Sequence, residues 1–424
     1  MAYETQGETV TLSRNCRSYV NVGGFILPQN NYGSVAQLVK TADGAGCTLV
    51  YPISELSTNP IAGTIAGNEV SFALPQIVNQ VTIEDEGVTE TYDIVVAAFS
   101  EKEVEGGYTS WLTDGTDQTV VFNLAADGTM TAANSSVMLG VGMDMGEYGI
   151  QWIGFGDVNI SMSPMTAETV EIPAGVTPDN YVVRSFDSPY IARVGFDGDD
   201  VYVQGLVHDV PEGWIKGKLA DGKVSFANGQ YLGVARTFNT FRNHAYCMVT
   251  TKGYDDSFNE VFGSPEPFFE VEYDAEAKSF TFPNDRVVCM SLDPEQTYLR
   301  SVLEYVSLEY RGAFEPTVPP APVIEYFSDY DPDAGYGEID FTMPDEGADG
   351  KVLDYSSYFY NVIVDGEVYE LTPAVHASLT SPMTDIPYSF SDNDDFYTYS
   401  EGYHMFYFRI PEYKTIGLQA VYTV

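Results

Sequence analysis

Internal duplication constrains the fold of this chain more than any other feature of its sequence. Residues 63–76 align without gaps to residues 217–230, and half of the aligned positions are identical. The same offset pairs Asp43 with Asp197 and keeps the hydrophobic positions in phase. Because this repeat is far longer than the roughly 20 to 50 residues of solenoid and propeller units, the sequence predicts the duplication of a whole domain.

Two weaker matches extend the alignment. Residues 8–10 match residues 168–170 at a larger offset. Residues 121–123 match residues 271–273 at a smaller one, and Thr131 matches Thr281 at that same smaller offset. The insertions that these offsets require would lie in loops between strands. The predicted domains are a first copy at residues 5–165 and a second copy at residues 166–314.

Each copy has the residue pattern of short antiparallel strands joined by tight turns. Asp197-Gly198 and Asp221-Gly222 separate alternating apolar and polar segments, and this dipeptide readily adopts the left-handed conformations of a hairpin turn. Residues 269–273 and 278–282 form a third candidate hairpin. Residues 295–304 come nearest to a helical pattern, but no segment sustains that periodicity. The predicted fold class is therefore all-β, with two tandem related antiparallel β-domains.

A proline-rich segment at residues 315–322 predicts a linker, because closely spaced prolines favour extended geometry and cannot donate to a sheet ladder. About seven short strands follow over residues 323–424, which is the size of a β-sandwich. The prolines at its entry, the strand that leads into Asp365-Gly366 and the last strand at residues 416–422 resemble a fibronectin-type-III or immunoglobulin-like module. This resemblance implies a C-terminal β-sandwich of that type.

The second copy carries a further resemblance. Residues 201–206, 211–217 and 229–233 resemble a repeat found in uncharacterised surface proteins of Bacteroidetes-type gut bacteria. The first copy has no counterpart of Trp214, so a role of that indole would not be duplicated. The resemblance implies an exported protein displayed at the outer surface, and it brings no known activity with it.

The charge of the chain restricts its partners. The formal net charge is -43, from 62 acidic and 19 basic residues spread along the whole sequence. A field of this sign repels phosphate backbones and anionic membranes, so we expect no nucleic-acid partner. Solubility at a cell surface explains the charge more simply than dedicated cation binding does.

The sequence predicts no transmembrane segment, since it contains no apolar run of about 18 residues. The first residues also lack the basic and apolar regions of a signal peptide. Either the protein is cytosolic, or an export leader is missing from this sequence. We favour the second alternative, with a cell-surface or secreted location and a lipid anchor as one means of attachment.

No motif indicates an enzyme. The cysteines have no metal-like spacing and no equivalent positions in the two copies, so buried free thiols are the simplest interpretation. The four histidines are not accompanied by a hydrolase, zinc or phosphate-binding motif. Carboxylate pairs are inevitable among 62 acidic residues and do not by themselves indicate a glycosidase.

One acidic segment has the spacing of a calcium loop. Asp329, Asp331 and Asp333 alternate as the first oxygen ligands of such a loop do, and Asp340 stands at the twelfth position. Ala334 occupies the place where these loops need glycine. Solvation of the carboxylates is therefore the simpler explanation, with weak calcium binding as the alternative.

Carbohydrate recognition needs exposed aromatic rings, because the faces of sugars stack on them. Trp111 is the best candidate, with Tyr108, since it lies in a glycine-rich segment that the second copy does not obviously match. Packing of this indole in the interior is the competing and more common explanation.

The leading hypothesis from the sequence is a non-enzymatic surface protein that binds a glycan or another extracellular macromolecule through loops of the β-domains. The alternative is a structural or assembly role in a surface complex. A glycoside hydrolase with an unrecognised carboxylate pair is the third and less favoured hypothesis.

Overall fold

The protein is built from β-strands, which confirms the predicted all-β fold class. A computed structural model describes residues 6–22, 25–54, 58–85, 88–104, 108–113, 118–186, 189–237, 241–294, 299–313, 320–355, 358–372, 382–387, 397–400 and 403–422. Within these residues the structure contains one 3₁₀ turn, Gly146–Tyr148, and no α-helix. The chain divides into two compact units: unit 1 is Met1–Thr166 with Thr240–Asn243, and unit 2 is Ala167–Asn239 with His244–Val424.

Unit 1 contains an eight-stranded antiparallel barrel. The strands of the first copy are β1 (Gln6–Val22), β2 (Phe25–Thr41), β3 (Gly46–Val50), β4 (Ile61–Ala66), β5 (Glu69–Leu74), β6 (Gln76–Asp85), β7 (Val88–Val104), β8 (Tyr108–Leu112), β9 (Gln118–Leu124), β10 (Met130–Ala132), β11 (Met138–Asp144) and β12 (Ile150–Pro164). The pairing order in the barrel is β1, β2, β3, β4, β5, β9, β10 and β12, and β12 closes it by pairing with β1. Successive side chains of a strand point to opposite faces, so on β5 Val70, Phe72 and Leu74 all enter the barrel core.

Strand β7 separates two cores in unit 1. Val96 and Ala98 belong to the barrel core, whereas Val95, Ala97 and Phe99 belong to a second hydrophobic core. The strand pairs with β6, β8 and β11, all of which lie outside the barrel order. β7 therefore has one face in the barrel core and the other face in the second core.

Unit 2 contains a second barrel with the same strand order. The strands of the second copy are β13 (Asp179–Arg184), β14 (Tyr190–Asp197), β15 (Asp200–Gln204), β16 (Trp214–Ala220), β17 (Lys223–Ala227), β18 (Gln230–Thr237), β19 (Phe241–Tyr254), β20 (Glu260–Phe262), β21 (Phe268–Asp274), β22 (Ser279–Thr281), β23 (Arg286–Ser291), β24 (Leu299–Glu304) and β25 (Ser307–Ala313). β13, β14, β15, β16, β17, β21, β22 and β25 form the closed barrel. In each copy three strands separate the fifth and sixth barrel strands, so the internal duplication extends to the topology.

Strand register confirms the central sequence match. Residues 63–76 and 217–230 both run along the fourth and fifth barrel strands to the glutamine that follows them. Gln76 Oε1 accepts the backbone N–H of Ala62 at 2.7 Å, and Gln230 Oε1 accepts that of Lys216 at 2.8 Å. The same side chain therefore makes the same bond in both copies.

The weaker matches are wrong at residues 8–10 and 121–123, whereas Thr131 and Thr281 do occupy equivalent positions in β10 and β22. Phe122 pairs with Val70 as Val271 pairs with Val224, so Phe122 corresponds to Val271 and not to Glu272. A one-residue slip of this kind exchanges the inner and outer faces of a strand. Residues 8–10 lie in β1, whereas residues 168–170 precede β13, the first strand of the second barrel.

The predicted hairpins are confirmed. Asp197-Gly198 lies at the turn between β14 and β15, and the turn between β16 and β17 contains Asp221 and Gly222 with φ values of 51° and 76°. β21 and β22 form the third hairpin. Of residues 295–304, the last six form strand β24 and the first four lie outside the described residues.

The C-terminal part of unit 2 consists of two small sheets around one core. Its strands are β26 (Val323–Asp331), β27 (Tyr336–Thr342), β28 (Tyr358–Val364), β29 (Glu367–Val368), β30 (Ile386–Pro387), β31 (Tyr397–Ser400), β32 (Tyr403–Phe408) and β33 (Ile416–Tyr422). One sheet has the order β26-β27-β32-β31, and in the other β28 pairs with β29, β30 and β33. Phe341 and Phe406 of the first sheet share a core with Tyr360 and Val362 of the second. Of the predicted linker, residues 315–319 lie outside the described residues.

Candidate interaction surface

Strand β26 is an exposed edge of the C-terminal part. It pairs antiparallel with β27, and no other strand in the described part of the chain pairs with it. Every residue of β26 is exposed or half-buried, and Val323, Ile324, Tyr326 and Phe327 are 53%, 50%, 53% and 42% exposed. A strand edge presents backbone N–H and C=O groups to which another strand can bond. An open edge with apolar side chains makes β26 the candidate functional surface.

The register of β26 assigns two of these apolar side chains to the core side of the sheet. Ile324 pairs with Phe341, and Phe327 pairs with Ile339. Both partners are fully buried in the C-terminal core, and Phe327 stacks on Phe408 with ring centroids 6.3 Å apart. Ile324 and Phe327 therefore extend the core to the open edge, where about half of each side chain remains uncovered.

The opposite face of the edge is mixed, because Val323 and Tyr326 lie there together with acidic side chains. Tyr326 pairs with Asp340, and Ser328 pairs with Glu338. The register shifts between Ile324 and Tyr326, so Glu325 lies in a bulge, where its Oε1 accepts a hydrogen bond from the Thr342 hydroxyl at 3.1 Å. The edge therefore has one apolar face and one face on which exposed apolar side chains lie beside acidic ones.

Glu338 and Asp340 project from the same face of β27 and their carboxyl groups interact. Burial raises the pKa of Glu338, and the hydrogen bond and charge of Asp340 raise it further. Burial also raises the pKa of Tyr407, which pairs with Glu338 from β32, and both carboxylates add to that shift. A glycosidase needs carboxyl groups about 5 to 9 Å apart to leave room for the reacting sugar. Carboxyl groups in direct hydrogen-bond contact do not provide that separation, and Asp340 is only 6% exposed.

The structure does not assemble the four aspartates of the predicted calcium site. Asp331 Oδ1 accepts the backbone N–H of Asp333 at 2.8 Å and so caps the turn between β26 and β27. Asp329 accepts the hydroxyl of Tyr413 at 3.3 Å, and Asp340 lies in mid-strand on β27. In the described ranges, no group of three or more His, Cys, Asp or Glu side chains could hold a metal ion. The turn accounts for the alternating aspartates.

Trp111, the predicted sugar-stacking residue, is buried. Its side chain is 6% exposed and packs in the second core of unit 1 with Phe99 and Met138, while the ring of Tyr19 meets it edge-on at 5.0 Å. An enclosed indole has no face to offer to a sugar, so the structure supports the competing explanation of core packing. Tyr108 begins β8, and its side chain lies outside the described residues.

The cysteines are free and buried, as predicted. Burial raises the pKa of Cys47 to about 11 and that of Cys247 to about 12, and it also raises the pKa values of Cys16 and Cys289. Thiolate is the reactive form of cysteine, and such shifts suppress it at neutral pH. The four thiols therefore pack as small apolar side chains.

A pair of exposed aromatic rings lies elsewhere in unit 2. Phe186 follows β13 and Tyr305 follows β24, and their ring centroids are 5.6 Å apart. Phe186 is 79% exposed and Tyr305 is 53% exposed. No local pattern in the sequence indicates this pair, because the two residues are far apart in the chain and only the closure of the second barrel brings them together.

Comparison with protein-family models, with curated proteins and with solved structures finds no match for this chain. In the described residues, no helix is long and apolar enough to cross a membrane. The fold and surface define the chain as an all-β protein with two related barrels and an open, partly apolar sheet edge.

Proposed function

We propose that this protein is a non-catalytic assembly component of the cell surface, which binds an extended segment of a partner protein at strand β26. The observation that carries this proposal is the open edge of β26 with its uncovered Ile324 and Phe327. An added strand would bond to backbone groups along the open edge and cover both side chains, as in other cases of recognition by strand addition. The acidic composition and the resemblance to surface repeats support an extracytoplasmic location.

The sequence of β26 argues for a selective edge and not for a site of aggregation. Its register is interrupted between Ile324 and Tyr326 and again between Ser328 and Asp331, and it carries acidic side chains. Bulges and charges are the features by which natural edge strands avoid indiscriminate pairing. A partner must accommodate both features, which restricts the segments that can bind.

A selection experiment tests strand addition without assuming the chemistry of the partner. A displayed library of random peptides is selected on the full-length chain, on Ile324→Lys and on Val261→Lys. Val261 is a matched control because it is an exposed apolar strand residue of the same unit, 44% exposed against 50% for Ile324. We expect peptides that bind the unmodified chain and Val261→Lys but not Ile324→Lys, since a charge pointing toward the core side opposes pairing. Equal enrichment on all three proteins would refute a role of the edge.

Glycan binding is a second candidate, favoured by the exposed pair of Phe186 and Tyr305. Two neighbouring rings offer a stacking surface of the kind that Trp111 does not provide. Retardation of the protein in gels that contain polysaccharide measures such binding, with Phe186→Ala as the test and Phe258→Ala as the control, because Phe258 is similarly exposed at 86%. Retardation that Phe186→Ala alone abolishes supports this function, and retardation by no polysaccharide rejects it.

A further inference from the structure

The geometry points to the chemistry of the segment that β26 binds: an extended strand in which apolar residues alternate with lysine or arginine. This inference rests on the proposed function of β26 and goes beyond it by naming the class of partner. It follows from the two unlike faces of the edge and from the charge around it.

Charge complementarity selects a basic partner. β26 contains Glu325, Asp329 and Asp331 and has no lysine or arginine, and the Glu338–Asp340 pair lies on the adjacent strand. Over residues 320–424 there are nineteen acidic residues and only three basic ones, Lys351, Arg409 and Lys414. Opposite charges on neighbouring strands stabilise pairing, and like charges oppose it. A basic segment is therefore favoured both in approach and in the bound state.

The two faces of the sheet determine how residue types alternate along the partner segment. Side chains of an added strand would alternate between the faces. Those on the core side would lie beside Ile324 and Phe327, where apolar side chains gain free energy by covering exposed apolar surface. Those on the other face would lie beside Glu325, with the half-buried Glu338 one strand further away. The complementary sequence thus alternates apolar and basic residues.

The same charges disfavour a second copy of this chain as the occupant. If two β26 strands paired antiparallel around Phe327, Glu325 of each strand would lie opposite Asp329 of the other. These like-charged cross-strand pairs are destabilising. The net charge of -43 on each molecule adds a long-range repulsion.

Defined peptides test the inference on the full-length chain. The probe is a capped peptide of alternating lysine and valine, with nine residues to match the nine of β26. The first comparison peptide replaces every lysine with threonine. The second keeps every lysine but replaces two valines with proline, which removes strand-forming ability and leaves the charge unchanged. Affinity is measured by fluorescence polarisation, and the binding site by hydrogen exchange of the β26 amides.

We expect the lysine–valine peptide to protect β26 and to bind about tenfold more tightly than the threonine–valine peptide, since a few cross-strand charge pairs together contribute about 1.4 kcal/mol. Glu325→Lys should remove most of this preference, whereas Glu276→Lys, at an exposed position in the turn between β21 and β22, should preserve it. The proline peptide should bind weakly and leave β26 unprotected.

The alternative outcomes separate this inference from the proposed function. Equal affinity for the lysine and threonine peptides, with β26 protected by both, overturns the basic partner and leaves strand addition intact. Self-association near 0.15 M salt that Ile324→Lys abolishes identifies a second copy as the occupant and also overturns the inference. Failure of every strand-forming peptide to protect β26 overturns the proposed function itself.

Discussion

At the scale of single residues, the first barrel contains a buried ionic cluster. Arg14 and Asp157 are almost fully buried, with Arg14 Nε 4.0 Å from Asp157 Oδ2. Arg14 Nη1 donates to the carbonyl oxygens of Tyr51 and Pro52, each at 2.8 Å, and Asp157 Oδ2 accepts the N–H of Ser54 at 2.8 Å. Through these hydrogen bonds the cluster holds residues 51–54, which follow β3, against the interior of unit 1.

The second copy has apolar residues at the positions that correspond to Arg14 and Asp157. Strand register puts Val183 where the first copy has Arg14. Leu303 corresponds to Asp157, because each lies two residues before a residue with a left-handed backbone conformation, Tyr305 in the second copy and Asn159 in the first. Both Val183 and Leu303 are buried. The same fold thus accepts an ion pair in one copy and hydrocarbon in the other.

This comparison predicts strong coupling between Arg14 and Asp157. Asp157→Leu alone should lower the free energy of unfolding by about 3 to 5 kcal/mol, because it leaves a buried guanidinium uncompensated. Arg14→Val with Asp157→Leu, which reproduces the second copy, should lose less than the sum of the two single changes. Urea denaturation of the unmodified chain, the two single variants and the double variant measures the coupling.

The control is the exposed pair of Lys40 and Glu8, 2.7 Å apart, where we expect a coupling of about 1 kcal/mol or less. Additive losses at Arg14 and Asp157 would contradict the prediction.

Burial of His404 leads us to predict that the C-terminal core loses stability in acid. Its side chain is fully buried and stacks on Phe341 with ring centroids 4.8 Å apart. Burial lowers the pKa of His404 to about 3 from 6.5. Between these two pH values the unfolded chain binds a proton that the folded chain does not bind. The stability contributed by this residue is therefore complete above pH 6.5 and is lost as the pH falls toward 3, by about 5 kcal/mol at most.

Hydrogen exchange of amides in β27 and β32, corrected for the intrinsic effect of pH, measures this loss. Between pH 7 and about pH 4.5 the free energy of opening should fall less in His404→Leu than in the unmodified chain, because the variant has no proton to bind. His208→Leu, at a position outside the C-terminal core, should leave the pH dependence of opening in β27 and β32 as it is in the unmodified chain. The same decrease in all three proteins would assign it to other groups.

At the scale of elements, the duplicated strands preserve a close contact between a glycine and an aromatic ring. A Cβ atom at Gly63 would lie 2.7 Å from the ring of Phe72, and one at Gly217 would lie 2.7 Å from the ring of Phe226. Both glycines lie on the fourth barrel strand, and both rings belong to the fifth. The contact explains why glycine and phenylalanine occur together in the best-matched block of the two copies.

Gly217→Ala should lower the free energy of unfolding of unit 2 by about 1 to 3 kcal/mol, since the added methyl group overpacks a filled core. Gly175→Ala is the control, because a Cβ atom at Gly175 meets no atom within 4 Å, and we expect almost no change. Thermal and urea unfolding of both variants measure the difference. A loss no larger at Gly217 than at Gly175 would show that the barrel relaxes around the methyl group.

The sequence predicts the barrel hairpins well and the edge strand poorly. Asp221-Gly222 and the alternation that precedes it are local signals, and the structure has the expected turn there. The one-residue error at Phe122 arose because valine and phenylalanine suit either face of a strand, so that only pairing with β5 sets the register. The sequence does not indicate β26 as an open edge, because which strand lies at an edge depends on where the sheet ends and not on local sequence. Burial of Trp111 likewise depends on residues that are distant in sequence.

At the scale of the whole molecule, an acidic surface and an open apolar edge have opposing effects on association. The charge of -43 keeps molecules apart, whereas Ile324 and Phe327 favour the burial of their exposed surface. Repulsion between exposed charges is screened over about 8 Å at 0.15 M salt and over about 3 Å at 1 M. The balance between the two effects should therefore shift with ionic strength.

We predict that the chain is monomeric near 0.15 M salt and self-associates through β26 as sodium chloride approaches about 1 M, where the repulsion between acidic strands is largely screened. Sedimentation velocity at constant protein concentration measures the change. Ile324→Lys should remain monomeric, because it places a charge on the core side of the edge. Val261→Lys adds the same charge on another exposed strand and should associate as the unmodified chain does. If both lysine variants resist association equally, the added charge is responsible wherever it lies. If only Ile324→Lys resists, β26 is the surface through which the molecules associate once the repulsion between their acidic side chains is screened.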